Sequence, residues 1–590
     1  MLNMKHGGHV EDEIKDPSVE TPFAYLKPDV AADPANQIPG DPAKVTTDLK
    51  ALGAAMTEPA PGTPPDPALK ANSTIPAVYT YWGQFIDHDM TANTDVTSAV
   101  SDIRVSPVVP KDPAFIAANL KNRRRPTFDL DSVYGNGPGL YDDYHRPDPG
   151  PDDQGFYDGI RFRVGENATG DGIPGVRIPP EDDLSRDLPR IGPLLDAGVI
   201  TEADLPASLK NDPGNRTRPL IGDLRNDENL IVAQFHLAVL RFHNEVVEAI
   251  EKAPQDFGLY ADASEAERFE AARRLTRYHY QWLVINDYLK TVTLPGIVDK
   301  VLVGGTHHYE PLPDGTLFAP LEYSVAAFRF GHTMVRGAYD HNRNFGNPVP
   351  PATTSVERNA TFANLFLFTG NGHLIDADIT KSVRNPFRGL PTLPFNWIIE
   401  WDRMSSKVDP NPAHFARNLD TRLVDPIHNM VNEGTDADIQ DDAGKPIRQL
   451  LRSLAQRNLL RGYGLSIPTG QAMAAAMGVK LLTADELQQG NADAVNQALT
   501  NGGFLEHTPL WYYVLKEAEV RANGNSLGEL GSRIVVETQV GLMRNDPNSY
   551  LNDSDGEWNP SMGVKLDNNT PDGDPIVTIR DFFAFAKLAA

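Results

Sequence analysis

Residues 229–252 read NLIVAQFHLAVLRFHNEVVEAIEK. Leu230, Ile231, Phe235, Leu237, Val239, Leu240, Phe242, Val246, Val247 and Ile250 recur at helical spacing and give an apolar face broader than a surface helix needs. The stretch therefore predicts a long buried helix. A second one, over 265–292, opens after Ser264 with Glu265 and Glu267 and carries Leu275, Tyr278, Trp282, Leu283 and Ile285 through to Leu289. Shorter helical stretches follow at 356–368, 395–405, 446–460, 483–499, 510–521 and 526–543. No alternating strand series and no repeat period stands out. The fold expected is mainly α, with little β structure and long surface loops. Pro, Asp and Ala crowd residues 1–72 (EPAPGTPPDPALK is typical), which predicts an extended arm ahead of a helical body over 73–590. Residues 135–220 read as a loop-rich insertion that wraps the surface or builds a pocket rim.

Composition narrows the function classes. The 590 residues carry 80 acidic against 54 basic side chains, a formal charge of −26, which repels phosphate backbones and anionic lipid surfaces. Nucleic acid is excluded as a natural partner, and divalent cations are the charged partners that balance favours. With no cysteine there are no disulfides, thiolate metal sites, iron–sulfur clusters or cysteine nucleophiles, so a transition metal must sit on His, Asp or Glu. No run reaches the roughly 18 apolar residues of a membrane span. The start, MLNMKHGGHVEDEIKD, lacks the apolar stretch of a secretory signal, so a soluble protein of the cytoplasm or of non-classical secretion is expected.

Five segments carry residues suited to chemistry. In Tyr81–Thr91 (YWGQFIDHDMT), a helix sets Gln84 and His88 on one face at i and i+4 with Asp87 beside them, and turns Asp89 about 100° away. Polar groups among Tyr, Trp, Phe, Ile and Met are costly unless satisfied or used. A lone histidine there would read as a hydrogen-bonded core imidazole; the flanking Asp pair and Gln tip the reading towards function. In Arg125–Gly135 (RPTFDLDSVYG), oxygen-bearing Thr127, Asp129 and Asp131 alternate and, with Asp89 as a further carboxylate, suit a Ca²⁺ ion; alone such a loop is more often a turn or helix cap than a metal site. Gly222–Asn229 (GDLRNDEN) places Arg225 and Glu228 at i and i+3, which also fits a plain surface ion pair, with Asn226 or Asp227 as a cap. Ala327–Met334 (AFRFGHTM) carries Arg329 and His332, and Arg457–Gly462 (RNLLRG) carries Asn458.

In this order and spacing, the five segments resemble the haem peroxidases of the peroxidase–cyclooxygenase superfamily, the animal-type group that includes myeloperoxidase and lactoperoxidase, and more closely their bacterial relatives. The likeness runs from about residue 74 to TIRDFFAFA near the C-terminus and includes NLLRGYGLSIPTGQAMA and TPLWYYVLKEAEVR. It implies one catalytic domain over 73–590 with a buried haem b. It further implies His88 as distal base with Gln84 beside it, Arg225 as catalytic arginine, and His332 as proximal iron ligand with Asn458 accepting its other ring N–H. Arg329 matches an arginine near a haem propionate. Asp87 and Glu228 fall where relatives ester-link the haem, and Asn229 stands where myeloperoxidase has a haem-linked Met, so that third link is expected to be missing. Asp89, Thr127, Asp129 and Asp131 match the calcium ligands, while Arg125 departs from a ligating Thr of many animal enzymes. Implied partners are hydrogen peroxide with phenol-type donors, bromide, iodide or thiocyanate. The alternative is oxygenation of unsaturated fatty acids. It is disfavoured because Arg329 occupies the position of the radical-forming tyrosine, unless Tyr323 or another aromatic takes that part.

Overall fold

A computed structural model describes residues 21–58, 72–92, 100–135, 156–169, 183–205, 215–345, 360–369, 392–409, 411–430, 450, 452–553, 558–567 and 573–589. Helices dominate. The apolar run that predicts a buried helix forms Leu230–Lys252, capped by Asn229, whose Oδ1 accepts from the amides of Ile231 and Val232 at 3.1 Å. Its apolar face is buried along the whole length from Leu230 to Ile250. Against it pack Val78–Met90, Glu265–Leu283 and Ile579–Phe585, so the helix is the spine of the core.

The expected helix over 265–292 is present but not continuous. Ser264 and Glu267 close a capping box at its start, and after Leu283 the chain widens into a π-turn over Val284–Leu289 before Lys290–Val292. The wider turn lets two successive side chains reach the Val78–Met90 helix. Asp287 Oδ1 accepts the Tyr79 hydroxyl at 2.6 Å, and Tyr288 stacks on Tyr79 at 6.1 Å. Gly83 is required there, because a Cβ would run into the Tyr288 hydroxyl.

Of the shorter stretches, Leu510–Arg521 matches its expected bounds, and 526–543 forms Glu529–Asn545. The 483–499 stretch divides into Ala484–Gln488 and Asp493–Asn501 around Gly490, which takes a positive φ of 73°. Residues 395–405 form two short turns, Phe395–Trp397 and Asp402–Ser405; of 356–368, residues 356–359 lie outside the described residues, Ala360–Thr361 is a strand paired with Ala338–Tyr339, and Phe362–Phe366 is a turn. Of the 446–460 stretch, residues 454–460 fall in the helix Leu454–Gly464. Strands are two to four residues long; Thr21–Ala24 pairs antiparallel with Lys121–Asn122 and parallel with Ala319–Pro320. From the insertion, a hairpin of Tyr157–Asp158 with Arg161–Phe162 and the helix Ile191–Asp196 are described; 136–155, 170–182 and 206–214 lie outside the described residues.

The extended arm expected over 1–72 is corrected for residues 21–58. Pro42–Ala55 is a helix: Pro42 occupies its first turn, and Asp41 Oδ1 accepts from Ala43 and Lys44 at 3.1 Å. The same Pro and Asp that look like breakers in composition are its start signal. Val45, Leu49 and Leu52 are buried against Leu454–Gly464 and Asp493–Asn501. Residues 1–20 and 59–71, which include most of the Pro-rich run, lie outside the described residues. Among the described residues no helix is long and apolar enough to cross a membrane. Truncating Leu52 to Ala should cost about 2–5 kcal/mol in denaturant unfolding; a loss under about 0.5 kcal/mol, the range of surface changes, would mean that this segment is not part of the core.

Candidate functional site

One cavity gathers residues from three of the five segments. The Val78–Met90 helix contributes Gln84, Asp87 and His88, the turn Leu224–Asp227 contributes Arg225, and Ala327–Met334 contributes Phe328, Arg329 and His332. Apolar side chains including Phe362, Phe366 and Leu454 complete the lining. The space not filled by atoms is about 1010 Å³ with open solvent at its mouth included.

His88 is buried, and its Nδ1 lies 2.9 Å from Asn226 Oδ1, which can only accept; Nδ1 therefore carries the proton and Nε2 keeps its lone pair. Asn226 is itself oriented, since its Nδ2 lies 2.9 Å from Nδ1 of buried His236. Burial pushes the His236 pKa down to about 3, so that ring stays neutral, and its Nδ1 accepts from Asn226 in the tautomer that carries the proton on Nε2. The His88 pKa is also lowered from its ordinary value, first by burial and then by the Arg225 charge. Neutral His88 with a bare Nε2 is a proton acceptor.

Arg225 does not pair with Glu228, as the i, i+3 spacing allows. Its guanidinium grips Asp223 (Nη2 to Oδ2, 2.7 Å) and donates to the carbonyls of His88 and Thr91 at 2.8 Å. With Nε also donating to Asp223 at 3.1 Å, the bonds use four of its five N–H groups, leaving one on Nη1. Burial alone would raise the Asp223 pKa, but Arg225 and Arg124 hold that carboxyl well below the usual range. Glu228 stands behind Gln84, accepting from its Nε2 at 3.1 Å, with its carboxylate 4.0 Å from His88 Nε2. Asn229 donates to Gln84 Oε1 at 3.0 Å. Asp87 faces the cavity and accepts from Thr91 Oγ1 at 2.9 Å.

On the other side of the site, His332 Nδ1 lies 2.8 Å from the Asn458 amide, and Asn458 Oδ1 is a buried atom with no other partner. A half-turn of the amide, which leaves its shape unchanged, puts Oδ1 on the imidazole N–H and frees Nε2 for a metal. Two imidazoles able to present bare Nε2 atoms, around a largely apolar space with Arg225 and Arg329 on its walls, fit a haem. Tyr323 is buried outside the lining, its hydroxyl 3.2 Å from the Met90 sulfur and accepting from Gln539 at 2.8 Å.

Asp89 turns away from the cavity, as its helical angle predicts. Its carboxylate accepts from the amides of Leu130 and Ser132 at 3.3 Å, and one oxygen each of Asp89, Asp129 and Asp131 falls within 4.8 Å of the others. Left-handed backbone at Phe128 (φ 54°) and Leu130 (φ 60°) winds the loop tightly enough for this. Three carboxylates this close repel, and burial with that repulsion pushes the Asp89 and Asp131 pKa values upward. Thr127 Oγ1, Ser132 Oγ and Asp131 Oδ2 are buried and have no hydrogen-bond partner among the described residues. An acidic, oxygen-lined site with unpaired acceptors fits a hard divalent cation.

Asn226, His236, Asp223 and Arg124 are the residues that reading the sequence misses or assigns otherwise. Asn226 and Asp227 appear there as helix caps, whereas Asn229 caps the helix and Asp227 pairs with Arg190 at 3.1 Å.

Residues 196–386 match the family model of animal haem peroxidase. That span holds Arg225, Glu228, Arg329 and His332; His88 and Asn458 lie on either side of it. A peroxidase-like protein of Margaritifera margaritifera is 24% identical over 288 residues, 46% of this chain and 33% of that protein, so the chain spans about a third of that relative. Peroxidase A from Dictyostelium discoideum superposes with a TM-score of 0.53 at 15% identity, covering 97% of this chain and 94% of that one, which shows a shared fold. A fatty acid alpha-dioxygenase of Arabidopsis thaliana gives a TM-score of 0.48 at 13% identity, over 95% and 76% of the two chains. Residues 196–386 thus resemble an animal haem peroxidase domain, and nearly the whole chain shares its fold with a peroxidase.

Proposed function

We propose that the chain is a haem b peroxidase that reduces hydrogen peroxide and oxidises small phenol-type donors, with bromide, iodide or thiocyanate as further donors. The observation that carries this reading is His88, neutral and with Nε2 unprotonated, lining one cavity with Arg225 and His332. His332 Nε2 would bind the iron and Arg329 a propionate. Held there, the haem would supply an iron that binds peroxide and accepts oxidising equivalents. His88 Nε2 takes the proton from one peroxide oxygen and returns it to the other, which then leaves as water instead of hydroxide. Arg225 stays charged and uses its remaining Nη1–H and its field to stabilise negative charge on the breaking O–O bond, in a pocket with largely apolar walls. Asn458, a neutral acceptor, orients His332 without giving it the anionic character that a carboxylate would. Ca²⁺ on Asp89, Asp129, Asp131 and Thr127 would neutralise the loop next to His88 and hold the distal helix in register.

Donor oxidation by the haem-loaded protein, followed with guaiacol against pH, tests the reading. Replacing His88 with Ala should lower the rate by about 10²–10⁴-fold. Because the neutral imidazole is the active form and its pKa is depressed, the acid limb should fall below the ordinary histidine value of about 6.5, and Arg225→Gln should move it upward. Oxygen uptake with linoleate in place of guaiacol oxidation would favour the fatty-acid reading, against which Arg329 in the cavity and Tyr323 outside it both count.

Asp87 and Glu228 are proposed as ester links to haem methyl groups. Asp87 lines the cavity, and Glu228 sits one side chain behind it, bonded to Gln84. After turnover with peroxide, acid–acetone should leave the haem on the chain; haem recovered free in the organic layer would refute the links.

A further inference from the structure

Arg124 lies in a run of three arginines, Arg123–Arg125, that looks like a solvated basic patch, yet its side chain is 0% exposed. One terminal nitrogen, Nη1, donates to Asp131 Oδ1 at 3.0 Å, and the other, Nη2, makes a short contact with Asp223 Oδ2. Asp131 belongs to the acidic loop, and Asp223 is the carboxylate that grips Arg225 through Nε and Nη2. Arg225 in turn donates to the backbone oxygen of His88. An unbroken ladder of buried charge therefore runs from the acidic loop through Arg124 and Asp223 to the arginine of the cavity.

The two segments also touch directly. A Cβ on Gly222 would lie 2.6 Å from the carbonyl oxygen of Ser132, so the loop and the Arg225 turn pack backbone against backbone.

We infer that Arg124 and Asp223 are positioning residues that couple cation binding at the acidic loop to the charge Arg225 presents to an anion in the cavity. This rests on the function proposed above. With the cation in place, Asp131 is neutralised by it, Arg124 is left to serve Asp223, and Asp223 withdraws less charge from Arg225. Without the cation, Asp131 draws on Arg124, Asp223 falls back on Arg225, and the cavity becomes less favourable to anions. The coupling is a free energy shared by two sites, so it must be reciprocal.

Cyanide titrated into the haem-loaded ferric protein and followed by its Soret band, with and without Ca²⁺, measures one side; Ca²⁺ titrated calorimetrically, with and without cyanide, measures the other. In the wild type, Ca²⁺ should tighten cyanide, and cyanide should tighten Ca²⁺, by the same factor, about 5–150-fold if typical of coupled sites. Arg124→Met should reduce that factor at least threefold while both ligands still bind, Asp223→Asn should do likewise, and Arg124→Lys, which keeps the charge, should restore part of it. A residue that merely supports the fold would change the two affinities but not their dependence on each other. A coupling factor unchanged in both Arg124→Met and Asp223→Asn would overturn the inference. A wild type that takes up no haem or binds no cyanide would overturn the peroxidase reading first, and the inference with it.

Discussion

Each imidazole that lines the cavity is held at Nδ1 by a carboxamide: His88 by Asn226 at 2.9 Å and His332 by Asn458 at 2.8 Å. Everything chemical in the site depends on these two hydrogen bonds. A histidine is a base or a metal ligand only through a nitrogen without a proton, and the tautomer is decided by what the other nitrogen meets. An amide decides it without adding charge. Around His88 the amide is backed by a neutral His236, so the orientation of Asn226 is itself enforced, and burial keeps both rings from taking a second proton.

Around these bonds the fold arranges charge so that little of it is left unpaired. The excess of acidic residues is borne partly inside, where Asp223, Asp227, Asp131 and Asp187 are each met by a buried arginine. Breaking such a pair leaves a stranded charge and costs several kcal/mol, about 3–5 by general experience. Arg124 and Arg190 thus fix the turn that carries Arg225 from two directions: Arg124 through Asp223, and Arg190 through Asp227. The turn is rigid because its carboxylates are spoken for. With no cysteine in the chain, these pairs, core packing and the proposed cation take the place that disulfides hold in many secreted proteins.

The long helices were legible in the sequence because their apolar periodicity is also their packing surface, as in Leu230–Lys252. His88 stood out because polar groups in an apolar helix have few other uses, whereas Arg225, His332 and Asn458 took their roles only from the resemblance of the five segments taken together. Asn226, Asp223 and Arg124 were not, since a short polar residue before a helix looks like a cap and an arginine among arginines looks solvated. Their partners lie 138, 99 and 7 residues away, and only the folded chain brings them together. The Pro42–Ala55 helix was hidden for a related reason. Pro and Asp signal both a loop and the first turn of a helix, and what separates the two here is the burial of Leu49 and Leu52, a tertiary fact.

The central claim is that His332 holds the iron while His88 faces it unbound. X-ray absorption or crystallography of the ferric haem-loaded protein reads that directly. The account predicts one imidazole on the iron, lost in His332→Ala and retained in His88→Ala. Iron bound by both imidazoles, or an imidazole bond that survives in His332→Ala and disappears in His88→Ala, would contradict it.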